Sequence, residues 1–197
     1  MEITVKNKLK TNGTTIHWHG VRQLHTIASD GVNAITQCPI APGESYTYRF
    51  RAMQYGTTWY HSHYSLQYGE GALGAMTIHG PSSADYDESK TPVLMTDWTH
   101  KSWFSMWWNS FTSGDAITTE NILVGGKGSW PADKPSKEFR YNFVTGKRYL
   151  LRLINTSVDT SFVFSIDNHK IQVIGADFVP IVPYWTDHVV VGIGQWI

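Results

Sequence analysis

An all-β chain built of two sandwich or barrel units is what this sequence predicts, on three observations. Short runs that alternate apolar and polar residues recur at intervals of roughly ten residues along the 197-residue chain. Pro-Gly and Gly-Pro pairs at 42–43 and 80–81 punctuate those runs. A polar, turn-rich stretch, 81–91 (PSSADYDESKT), separates one set of runs from another. The expected division is therefore a first unit over 1–81, a linker over 82–91 and a second unit over 92–197.

The elements follow in order. Residues 3–5 (ITV) open in mid-strand, with no turn before them. Residues 14–19 (TTIHWH) alternate, carry β-branched side chains and stop at Gly20. Residues 45–52 (SYTYRFRA) alternate aromatic with polar after the turn at Pro42-Gly43. Strands are expected at 57–63 (TTWYHSH) and at 74–79, the latter closed by Gly80-Pro81. Beyond the linker, 93–97 begins the second set. Residues 102–111 (SWFSMWWNSF) read as a short surface helix that packs its tryptophans. Residues 147–154 (KRYLLRLI), 161–166, 170–174 and 188–191 are strand-like. The last residues, 192–197 (GIGQWI), run off a strand without a turn, so both ends read as cut.

Composition narrows the function classes. An apolar share of 41% supports a real core. Sixteen basic and sixteen acidic residues cancel, which removes any electrostatic case for nucleic acid or an anionic membrane. No apolar run approaches the ~20 residues that cross a bilayer, and 1–6 (MEITVK) lacks the pattern of a secretory leader. Two sequons, at Asn12 and Asn155, give weak support for secretion. Cys38, the only cysteine, is either a buried free thiol or half of a bridge to a part of the protein outside this sequence.

Two motifs carry chemistry. His17-Trp18-His19-Gly20 and Trp59-Tyr60-His61-Ser62-His63 are both His-x-His pairs, 44 positions apart. On a strand, residues two apart share a face, about 6.6 Å along the chain. Each pair therefore projects together, and two facing pairs surround one space with four imidazoles. Imidazole suits copper, zinc, iron or nickel. A lone His-x-His is usually a surface coincidence. Two, each beside a tryptophan and each closing on a short loop, point to a metal site. A cupin needs a glutamate a few residues after its second histidine, and Glu70 lies seven after His63. A zinc hydrolase would add a general base, for which no pattern stands out. His25, His79, His100, His169 and His188 belong to no motif and read as surface or structural.

Longer runs carry a resemblance. TNGTTIHWHGVRQ, SDGVNAITQCPIAPGESYTYRF and QYGTTWYHSHYSLQYGEGALGAMTIHGP resemble the first cupredoxin domain of fungal laccases, which are multicopper oxidases. GKRYLLRLINTSVDTSFVFSIDNHKIQVIGADFVPI resembles their second. Gly69 and Val158 stand where basidiomycete laccases commonly carry cysteines, so the resemblance is to the ascomycete branch.

The resemblance implies two tandem cupredoxin-like Greek-key sandwiches, truncated at both ends. It makes His17 a ligand of a type 2 copper and His19, His61 and His63 ligands of type 3 coppers. Trp18 would pack against that cluster. Asp30 matches an acidic residue that aids proton delivery to oxygen, the alternative being a plain turn aspartate. Asp159 matches a carboxylate that accepts a hydrogen bond from a phenolic substrate, the alternative being a solvated loop residue. Cys38 matches a cysteine bridged to another part of the full-length protein.

In the family, a third cupredoxin domain completes the site through HPxHLHGH and HCH motifs, and neither occurs in these residues. Three readings follow. The first is part of an extracellular laccase that oxidises phenols or aromatic amines with O2 and is inactive alone. The second is a non-enzymatic copper-binding β-domain. The third is a copper cluster completed between chains, which ranks last because it still needs an HCH segment.

Overall fold

The computed structural model describes residues 1–130 and 138–197. They form two compact units, Met1–His79 and Gly80–Ile197.

The first unit contains β1 (Glu2–Lys6), β2 (Ile16–Trp18), β3 (Ser45–Arg49), β4 (Gly56–Ser62) and β5 (Leu73–Ile78). β1 pairs antiparallel with β3. β4 lies between β2 and β5, antiparallel to both. Alternation along β2 sends Ile16 and Trp18 into the core and His17 to the other face. Trp18 is 3% exposed and packs on Tyr48 and Phe50, each at 5.4 Å between ring centres. Fully burying such a side chain contributes roughly 1.5–3 kcal/mol. The buried Tyr48 hydroxyl accepts a hydrogen bond from the Ile16 N–H at 3.0 Å, joining the two sheets where β2 begins.

The second unit contains β6 (Glu88–Ser89), β7 (Val93–Trp98), β8 (Asn121–Val124), β9 (Tyr149–Leu150), β10 (Leu153–Asn155), β11 (Phe162–Ser165), β12 (Ile171–Ala176), β13 (Val179–Thr186) and β14 (His188–Val191). β7 is central, parallel to β10 on one side and antiparallel to β8 on the other. β11 pairs with β14, and β12 with β13. Val93, Met95, Leu153, Phe162, Val173 and Val191 form the core.

Several expectations are corrected here. The 82–91 stretch falls inside the second unit: β6 pairs with β9, and the Ser83 hydroxyl donates to the Ile174 carbonyl at 3.0 Å. The strand expected over 147–154 is two strands, β9 and β10, with different partners. The helix α1 (Trp103–Ser113) forms as expected but buries only Trp103. Trp107 and Trp108 stay 48% and 58% exposed, because the helix meets its unit along one edge. Cys38 is exposed, not buried. Asn155 is 0% exposed and its amide donates to the Thr160 and Val191 carbonyls, so this sequon is closed to a glycan in the folded unit. No helix among the described residues is long and apolar enough to cross a membrane.

Candidate metal centre

β2 and β4 bring the two His-x-His runs onto one face. The register sets His17 directly opposite His61. The pairing continues past the strand ends: the His19 N–H donates to the Trp59 carbonyl at 3.0 Å, and the His63 N–H to the Thr15 carbonyl at 3.2 Å. One face thus carries His17 and His19 against His63, His61 and Trp59. The ring centre of His17 lies 5.7 Å from His19, 5.3 Å from His61 and 5.5 Å from His63. Ring nitrogens of His17, His19 and His61 all lie within 4.8 Å of one another. His63 stands at the rim, exposed, 6.0 Å from His61.

Main-chain carbonyls orient the imidazoles. A carbonyl only accepts, so the Nδ1 atom that faces it must carry the proton. His17 Nδ1–H donates to the Asp30 carbonyl at 2.7 Å, and His61 Nδ1–H donates to the Ser62 carbonyl at 3.0 Å. Both rings therefore keep their Nε2 lone pairs. His61 Nε2 accepts from His19 Nδ1–H at 3.1 Å. Moving that His19 proton to Nε2 would leave two lone pairs facing one another.

Burial, with the charges of its neighbouring histidines, holds His19 down at a pKa of about 4. Burial brings His61 to about 3, although its bond to Ser62 pulls the other way. Both are neutral at ordinary pH, which is the form that binds metal.

Aromatic packing forms one wall. Trp59 stacks on His61 at 4.2 Å and on His19 at 5.0 Å between ring centres. This is a correction, since Trp18 was expected beside the cluster. Trp18 alternates to the opposite face, and Trp59, two residues before His61 and opposite His19, takes that place.

The carboxylates differ. Asp30 sits beside His17, its Oδ1 3.5 Å from Nδ1, with 19% of its side chain exposed. Asp159 belongs to the second unit and is exposed in the loop after β10. Its N–H donates to the carboxylate of Asp97, which is 1% exposed and also accepts from the Val158 N–H and the Thr160 hydroxyl. The five remaining histidines are all exposed.

Two supporting residues escaped the sequence reading. Gly31 (φ +82°) lies so close to β2 that a Cβ would overlap the Ile16 carbonyl oxygen and stand 2.5 Å from its carbon. That approach lets Asp30 reach His17, and the Asp-Gly pair was its signal. Gln67, from the 3-10 turn Ser65–Tyr68, is buried beneath the His61-Ser62-His63 run and had no signal.

A sandwich that gathers neutral imidazoles from two adjacent strands defines a metal-binding β-protein, and an all-imidazole donor set fits copper. Profiles described as multicopper oxidase match residues 1–83 and 89–197. The chain belongs to the multicopper oxidase family and is similar to fungal laccases. It is 57% identical over 196 residues to a laccase of Arthroderma benhamiae, covering 99% of this chain and 31% of that protein. Laccase-2 of Botryotinia fuckeliana is 50% identical over 201 residues, covering 98% and 34%. The crystal structure of the laccase from Botrytis aclada superposes with a TM-score of 0.94 at 49% identity, covering 99% of this chain and 38% of that one. The fold is thus the cupredoxin-like all-β class, and copper is the cofactor implied. The chain spans about a third of the length of these relatives.

Proposed function

We propose that this chain supplies half of the ligands of a trinuclear copper cluster in a laccase-type oxidase. His17 would hold the type 2 copper, and His19, His61 and His63 the type 3 pair. The observation that carries this reading is the convergence of His17, His19 and His61 within 4.8 Å, with two of the rings held neutral. Bound copper would supply one-electron redox chemistry toward dioxygen. The protein's own residues do the rest. The Asp30 carbonyl fixes the His17 tautomer, and the Asp30 carboxylate, near both His17 and solvent, is suited to pass protons toward reduced oxygen. Trp59 shields one side from water. Asp159, exposed on a loop clamped by Asp97, is suited to accept a hydrogen bond from a phenolic substrate.

The parent reaction would be one-electron oxidation of such substrates coupled to reduction of O2 to water, in an extracellular protein. A third cupredoxin domain would provide the opposing ligands and the electron-entry site. A domain boundary near residue 80 fits that scheme.

A second reading applies to this chain alone. Cys38, flanked by Gln37 and Pro39, cannot form a Cys-His electron path, so these residues would hold copper without turnover. Metal analysis with oxygen uptake on the purified chain tests both. Bound copper without O2 consumption is expected, lost in His61→Ala. Copper content that is unchanged by His17→Ala and His61→Ala would sink the site assignment. Steady phenol oxidation would overturn the claim that the chain is inactive alone.

A further inference from the structure

Beneath the imidazole face lies a closed polar network. The Gln67 side-chain oxygen accepts from the Thr14 hydroxyl at 2.8 Å and from the Ser62 hydroxyl at 2.7 Å. Its amide nitrogen donates to the Gly13 carbonyl at 2.9 Å. Thr14, Ser62 and Gln67 are 9%, 0% and 8% exposed. The Ser62 hydroxyl in turn accepts from the Tyr64 N–H at 3.1 Å. Thr14 stands three residues before His17, and Ser62 lies between His61 and His63. One side-chain amide therefore spans both segments that present imidazoles, on the side away from the rings.

We propose that Gln67 is a positioning residue for the metal centre: by bridging Gly13, Thr14 and Ser62 it sets the distance between the two His-x-His segments. This rests on the copper reading for its functional consequence but not for its geometry. β2 and β4 share three paired residues, extended by one main-chain bond at each end, so the ladder between them is short. Beyond Ser62 a single main-chain bond, from the His63 N–H to the Thr15 carbonyl, continues the pairing where His63 is aimed at His17. Burial strengthens the three bonds, because no water competes for Gln67. Removing the amide would take from both hydroxyls the acceptor to which they donate, and from the Gly13 carbonyl its side-chain donor, in that interior.

The test uses the 197-residue chain with Gln67→Ala and Gln67→Glu. Glutamate keeps both accepted bonds but turns an acceptor oxygen toward the Gly13 carbonyl in place of the donating amide. The first readout needs no metal: nuclear Overhauser contacts between the rings of His17, His61 and His63. Gln67→Ala should weaken His17–His63 while Trp18–Tyr48 contacts in the core persist, and Gln67→Glu should retain most of them. The second is copper affinity by competition with a chromogenic chelator. A loss of about 10-fold or more is expected for alanine, in the range typical of residues that support metal ligands, with a smaller loss for glutamate. Unchanged ring contacts in Gln67→Ala overturn the proposal, whether or not copper binds. Ring contacts that shift in a chain with no copper affinity would uphold the positioning role and refute the copper reading instead.

Discussion

Protonation of His19 and His61 couples the stability of the metal-free chain to pH. In the unfolded chain each takes up a proton near 6.5, but the folded groups resist until about 4 and about 3. Between those limits the unfolded state binds more protons, so stability rises with pH. Their contribution is complete above about 6.5 and is lost as pH falls through 4 toward 3. Melting temperature should therefore drop over that window, and less steeply in His61→Gln. Equal slopes in the two proteins would contradict the burial of His61. Gly31 gives a second test at this scale. Gly31→Ala combines a left-handed backbone with overlap on Ile16, which should destabilise the chain by about 3 kcal/mol. It should also part Asp30 from His17 and lower copper affinity, read by chelator competition. A variant with wild-type affinity would show that the Asp30 carbonyl does not orient His17.

Among the elements, the loop from β10 to β11 depends on one buried carboxylate. Asp97 accepts two N–H groups and a hydroxyl at 2.9, 2.9 and 3.0 Å. Asp97→Asn turns one acceptor into a donor facing a donor, and should lower stability by about 2 kcal/mol. Hydrogen exchange at Val158 and Asp159 should quicken more than in the core of β7. Protection that stays equal at both places would refute the clamp. Helix α1 behaves oppositely: with Trp108 58% exposed, Trp108→Lys should shift stability by no more than about 0.5 kcal/mol in a denaturant melt. Strand periodicity foretold β1 to β5, β7, β11, β12 and β14. It missed β6, β8 and β13, the last of which carries Pro180 and Pro183. That strand pairs with β12 alone among the described residues, and its register shifts between Val173 and Gly175, opposite the segment that holds Pro183.

For the molecule as a whole, the pattern of exposure governs behaviour in solution. An apolar cavity of about 410 Å³ in the first unit is lined by Met1, Ile3, Val5, Ile16, Trp18 and Tyr60. In the second unit, Val163 and Val190 are cross-strand partners yet 68% and 59% exposed, and Val182 is 88% exposed. Exposed apolar surface of this kind favours association. The isolated chain should self-associate at micromolar concentration in light scattering and enhance the fluorescence of a hydrophobic dye. A dye-silent monomer with one sharp melt would contradict that.

The sequence by itself determined the all-β class, the family and the four motif histidines. Period-2 patterning and His-x-His spacing are local properties of a strand and need no partner to be read. Only the tertiary structure decided which groups surround those histidines. The Asp30 carbonyl on His17 and the close approach of Gly31 depend on how the loop after β2 folds back on it, while Trp59 against the rings and the Gln67 bridge depend on β2–β4 register. Register joins residues more than forty positions apart, so no local pattern along the chain encodes it.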